Sequence, residues 1–134
     1  MKEINPQETS RASAFDLWMT SPMPMVTLTK TFDITRIHKA SKRKHIKLNA
    51  LICWCIGKAA SQVEEFYMLP VQGKMFQYDN LAINVIVNNK KGGISSCDIP
   101  YTNDFNRFYE DYIRLTQSAS ESCESTFIED AMII

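Results

Sequence analysis

Apolar positions along this chain change period several times, and the changes mark its elements. Phe15, Trp18 and Met19 fall at i, i+3 and i+4, the spacing of one helix face, with Ser10 placed to cap the turn before them. Ser21-Pro22-Met23-Pro24 ends that helix, because a proline pushes the residue before it into extended geometry. From Met25 the pattern alternates. Val26, Leu28 and Phe32 share one side and Thr27, Thr29 and Thr31 the other, which predicts a strand with one apolar face.

Asp33 is placed to cap a short helix over Ile34, Ile37 and Ala40 that runs into the basic Lys42-Arg43-Lys44-His45, where the helix dipole favours cations. Leu48, Leu51, Ile52, Cys55, Ile56 and Ala59 then recur at helical spacing and predict the strongest core stripe of the chain, on a helix over 47–61. Phe66 to Val71, Gln72-Gly73 and Lys74 to Asp79 predict a hairpin with Gly at the turn, and Pro70 makes its first strand either irregular or an edge. Leu81 to Val87 is a buried strand, Asn88 to Gly93 a loop, and Ile94 to Asp98 another strand. A long helix starts at Thr102 or Asn103 and turns Phe105, Phe108, Tyr109, Tyr112 and Leu115 inward; Ser118 to Glu124 is small and polar, and Ala131 to Ile134 begins a strand. The polar first nine residues, with Pro6, are expected to form an arm. No repeat or low-complexity tract is present.

Composition narrows the function classes. A chain of 134 residues is expected to form one domain. Lys+Arg and Asp+Glu number 15 each, so no overall field draws the protein to nucleic acid or a membrane surface. The basic cluster Lys39, Lys42, Arg43, Lys44 and Lys47 lacks the interleaved aromatics of a nucleic-acid surface and reads as a solvated helix end. The four cysteines form no C-x-x-C pair, and Cys53 and Cys55 sit about 200° apart on their helix, unable to share a metal. They read as small buried hydrophobes in a reducing compartment. The N-terminus has no apolar leader-like run and no stretch approaches about 18 apolar residues, so a soluble cytoplasmic protein is expected. Dinucleotide, Walker, nucleophile-elbow and metal-ligand spacings are absent.

The order of these elements resembles the chloramphenicol acetyltransferase family. The residues that carry the likeness are Phe15 and the aromatic Trp18 in the first helix, Phe32-Asp33-Ile34-Thr35 closing the strand, and Lys47 opening the long helix. Glu65-Phe66 with Met68 begins the hairpin, Gly73 turns it and Tyr78-Asp79 ends it, and Thr102 to Tyr112 matches an aromatic-rich helix with its Asp104-Phe105 step. The resemblance implies an α/β fold, a mixed sheet with flanking helices, and a homotrimer that moves an acetyl group from acetyl-CoA to a hydroxyl of a small molecule. It spans the first two thirds of a typical member, so residues 1–134 read as a partial domain truncated before the C-terminal catalytic segment.

An alcohol becomes a competent nucleophile only when a positioned base takes its proton, and a hydroxyl donor must hold the resulting oxyanion. In the family the base lies in a His-His-x-x-x-Asp-Gly motif that this sequence does not contain, and neither His38 nor His45 is followed by Asp-Gly. No catalytic residue is therefore assigned, and the chain alone is expected to be inactive. By resemblance, Trp18, Met23, Pro24, Met25 and Asn84 are acceptor-pocket candidates, and Lys47 is placed near a coenzyme phosphate; Asn49 stands where the family has an aromatic. The other class of reading is a non-catalytic binding or assembly module of the same fold. The unfinished apolar strand Ala131 to Ile134 favours a piece of an acetyltransferase over such a module.

Overall fold

The computed structural model describes all 134 residues. Its strands are β1 (Lys2–Ile4), β2 (Met68–Val71), β3 (Lys74–Gln77), β4 (Leu81–Asn88), β5 (Ile94–Pro100) and β6 (Met132–Ile133). The helices are α1 (Ala12–Met19), α2 (Thr35–Lys44), α3 (Leu48–Ala60) and α4 (Phe105–Ser122), with single 3₁₀ turns at Pro6–Glu8 and Glu64–Tyr67.

Two three-stranded sheets form, in the orders β1-β3-β2 and β5-β4-β6. The first is wholly antiparallel. In the second, β4 runs antiparallel to β5 and parallel to β6. Gln72 and Gly73, with φ of 50° and 77°, close the β2–β3 hairpin as the left-handed pair that matches strand twist. Pro70 sits on edge strand β2, where its missing N–H breaks no ladder.

The core lies between the β4/β5 face carrying Ile83, Val85, Cys97 and Ile99 and the helices α3 and α4, which contribute Ala50, Cys53, Phe108, Tyr112 and Ala119. Asp104 caps α4 by accepting the Asn106 and Arg107 N–H groups, so the helix begins slightly later than its sequence suggests. It also continues through Ser118–Ser122, because Thr116 and Ala119 keep its inner face buried.

Four expectations are corrected. Lys2–Ile4, within the supposed arm, pair with β3 from Lys2–Gln77 to Ile4–Met75. Ser10 does not cap α1; its hydroxyl instead donates to Glu65 Oε1 at 2.6 Å. Residues 25–32 form no strand, because nothing in the chain supplies a neighbouring ladder, and Leu28 is left 89% exposed. In α3 the buried stripe is Ala50, Cys53, Gly57 and Ala60, while Cys55, Ile56 and Ala59 face outward. Small residues win because α3 lies close to its neighbours: a Cβ on Gly57 would sit 2.4 Å from Tyr101 Cδ2.

Much apolar surface therefore stays in water. The accessible area is 9459 Å², against about 7,200 Å² for a compact monomer of this mass. Val26, Leu28, Phe32 and Ile56 contribute to that excess.

Candidate functional site

Two depressions collect most of the residues that the sequence singles out. The first is a groove of about 430 Å³ between α1, the stretch from Pro24 to Val26, and the β2–β3 hairpin. Phe15, Trp18 and Met19 form one wall, Pro24 and Val26 a second, and Pro70 with Met75 the floor. The helical spacing of the α1 aromatics aims them at one side, and the two prolines fold the following chain back across it.

Arg11 fixes this geometry. Its Nη1 donates to the carbonyls of Met68 at 2.9 Å and Glu65 at 3.2 Å, tying the start of α1 to the hairpin. The Ser10 hydroxyl, with lesser help from the Glu65 backbone and Arg11, holds the Glu65 carboxyl below its ordinary range. The groove is mainly apolar, Arg11 is its only charged lining residue, and that guanidinium is already engaged.

Trp18 and Pro24 thus meet in one groove, whereas Met23 and Met25 do not line it; they stand 70% and 68% exposed. Asn84 lies elsewhere, on the β4/β5 face opposite the core. Its Nδ2 donates to Ser96 Oγ and to Asp98 Oδ1, both at 2.7 Å. The second oxygen of the buried Asp98 accepts the Ile128 N–H at 2.9 Å. Beside it, the chain at Thr126 forms a parallel bridge with Cys97. Register places Asn84 opposite Asp98, so this network anchors the segment after α4 to β5. A buried carboxylate needs such donors, since leaving it unpaired would be costly. Sequence reasoning missed Arg11, Asp98 and Met75. Only Asp98 carried a signal, an acidic residue inside a strand pattern.

The second depression, of about 360 Å³, lies where α2 turns into α3. His38 and Lys42 project from α2; His45, at φ 52° in the left-handed C-cap, and Lys47 come from the turn. The Lys47 N–H donates to Tyr109 Oη at 3.3 Å, and Lys47 also borders a third depression beside Lys90. The α3 N-terminus carries no side-chain cap. At the far end of this region, Thr35 donates to Asp33 and holds that carboxyl below its usual range.

No side chain here is placed as an activated nucleophile. Burial pushes the Cys53 and Cys97 thiols up, away from the thiolate form, and does the same to the Tyr112 phenol despite the Asn49 amide that donates to it at 3.0 Å. All four cysteines are free, and no three His, Cys, Asp or Glu side chains gather as a metal cage. No helix is long and apolar enough to cross a membrane.

Comparison with known proteins identifies the fold and the family. A solved structure titled "chloramphenicol acetyltransferase" superposes with a TM-score of 0.74 at 18% sequence identity, covering 84% of this chain and 55% of that one. The chain therefore spans little more than half the length of that relative, and the likeness establishes a shared α/β fold. No curated protein matches the sequence. The family model described as "Chloramphenicol acetyltransferase" matches residues 1–132, nearly the whole chain. By that match the protein belongs to the chloramphenicol acetyltransferase family.

Proposed function

We propose that this chain supplies one wall of an acetyl-CoA-dependent O-acetyltransferase site. The α1 groove takes the apolar part of a small hydroxyl-bearing acceptor, and Lys47 contacts a phosphate of the coenzyme. The observation that carries the reading is the family match over residues 1–132 together with the apolar groove built on Trp18 and Pro24. Trp18 offers an aromatic face, and the floor at Pro70 and Met75 excludes water from the acceptor's apolar end.

Acetyl transfer requires a base within hydrogen-bond reach of the acceptor hydroxyl. Neither histidine borders the groove; both border the α2–α3 depression instead. We therefore assign substrate holding to this chain and no proton transfer. Met23, Met25 and Asn84 remain acceptor contacts only by family likeness, because none lines the groove. The protein works as a homotrimer in this reading. Its exposed apolar segment around Leu28 and its accessible area of 9459 Å², well above that of a compact monomer, are surface for a neighbour to cover.

The test is calorimetric and kinetic. The purified chain binds chloramphenicol, and Trp18→Ala weakens that binding by about thirtyfold, the loss of about 2 kcal/mol of aromatic burial. With acetyl-CoA and chloramphenicol together, a thiol-trapping assay shows no CoA release. Turnover by the chain alone would overturn the assignment of roles, and an unchanged affinity in the Trp18 variant would remove the groove from the site.

A further inference from the structure

Helix α3 is apolar on nearly every side, yet only one side of it is buried. Ala50, Cys53, Gly57 and Ala60 face inward. At about 100° per residue, Leu48, Leu51, Ile52, Cys55, Ile56 and Ala59 fill the opposite arc. Leu48, Leu51 and Ile52 are half-buried at the end nearer α2, whereas Cys55, Ile56 and Ala59 stand in water. Exposed Val63 extends the bare strip beyond the helix. A helix that is apolar all round belongs in an interior, and the C-terminal half of this one lacks a cover.

The charge around the strip says what the cover carries. No acidic residue occurs between Asp33 and Glu64. Over that stretch α2 presents Arg36, Lys39, Lys42, Arg43 and Lys44, and α3 presents Lys58, all exposed. None of them joins a salt bridge; Lys58 only rests over the Trp54 ring, 4.8 Å from its centre. The chain as a whole is neutral, so this field is local to the α2–α3 face. A second copy set symmetrically on the strip would bring cation against cation. Its other helices cannot serve either: the aromatic side of α1 lines the groove, and the apolar side of α4 lies in the core.

We propose that the outer face of α3 is a docking surface for an acidic amphipathic helix of a partner polypeptide. The partner's apolar stripe covers Cys55, Ile56 and Ala59, and its flanking carboxylates meet Lys58 and the α2 cations. The small Cys55 and Ala59 let a helix come close, and Ile56 is the apolar anchor. The inference goes beyond the acetyl-transfer reading and does not depend on it.

The probe is a dye-labelled synthetic peptide of about 18 residues, with leucines at helical spacing on one side and glutamates on both flanks. One control peptide carries lysines in place of the glutamates, and another has the glutamate composition in scrambled order. Fluorescence anisotropy with the full chain is expected to show the glutamate peptide binding about tenfold tighter than either control. Ile56→Glu weakens that binding about thirtyfold. Ile56 is 47% exposed, so the change leaves the core closed. Arg43→Glu with Lys58→Glu exchanges the preference, and the lysine peptide then binds better. Bound peptide slows labelling of Cys55 by a chromogenic disulfide and leaves that of Cys123 unchanged. Equal binding of the three peptides, or a Cys55 that stays unprotected, overturns the proposal. Self-association in sedimentation that Ile56→Glu abolishes would give the face to a second copy. Adsorption to phosphatidylserine vesicles that the same change abolishes would give it to a membrane, and either result overturns the proposal.

Discussion

Replacing Gly57 by alanine tests the packing logic of α3 most sharply, because propensity and packing predict opposite signs. In the interior of a helix the change ordinarily adds about 1 kcal/mol of stability. Here the new methyl would lie 2.4, 3.0 and 3.1 Å from Tyr101 Cδ2, Cε2 and Cγ. Carbon pairs are comfortable at about 3.5–4.0 Å, so the ring has to retreat by roughly an ångström or more at its nearest atom. It is not free to do so. The Tyr101 N–H donates to the Leu81 carbonyl at 2.9 Å, and its hydroxyl donates to Asn103 Oδ1 at 2.7 Å. Contact with Cγ, near the root of the side chain, rules out relief by movement of the ring tip alone. Overpacking of this kind costs about 1–3 kcal/mol, and we expect Gly57→Ala to lose about 1 kcal/mol net. In a Tyr101→Ala background the same substitution gains about 1 kcal/mol. Urea denaturation of the four proteins, followed by circular dichroism, gives a coupling of about 2 kcal/mol between the two positions. A stabilising Gly57→Ala in the unaltered chain, or a coupling below about 0.5 kcal/mol, would show that α3 does not press on Tyr101.

Further predictions concern the network behind the sheet, the thiols and the α1 clamp. Asp98→Ala strands the Asn84 amide and the Ile128 N–H, so it should cost about 3 kcal/mol in denaturation. Under native conditions a chromogenic disulfide should label the exposed Cys55 fastest, and Cys53 and Cys97 only on unfolding, since burial raises both thiols and shields them. Early labelling of Cys97 would contradict the core. The Glu65 carboxyl lies lower in the folded state than in the unfolded chain. Its contribution is therefore complete above the unfolded value and disappears as pH falls through the lowered one. The Trp18 indole resonance should accordingly stay constant through the ordinary glutamate range, change only at more acidic pH, and change at higher pH in Ser10→Ala.

Most of the secondary structure was legible in the sequence because it depends on near neighbours in the chain. Gly73 marked the hairpin turn, Pro70 an irregular or edge strand, and the Leu81 to Val87 run a buried strand, each through local sterics and pattern. The Phe108 and Tyr112 face of α4 followed from spacing alone, and the family from the resemblance of short motifs from Phe15 to Tyr112 to its members. What failed depended on distant partners. Residues 25–32 have strand periodicity, yet a strand exists only where another segment accepts its hydrogen bonds, and none does. In α3 both faces are apolar, so the pattern could not say which one is buried; the nearness of Tyr101 chose Ala50, Cys53, Gly57 and Ala60.

The candidate sites divide in the same way. Resemblance named Trp18, Pro24 and Lys47, but the groove needed Arg11 reaching to the Met68 carbonyl, 57 positions away. Resemblance made Asn84 a pocket candidate, and only cross-strand register sets it against Asp98, outside the α1 groove. The gathering of His38 and His45 around one basic depression comes from the turn of α2 into α3, where the left-handed backbone at His45 reverses the chain. By itself, the sequence determined the local elements, the turn chemistry and the family. The tertiary structure decided which apolar faces meet, which polar groups satisfy one another and which cations share a space. Those outcomes depend on contacts between segments far apart in the chain, and periodicity carries no record of them.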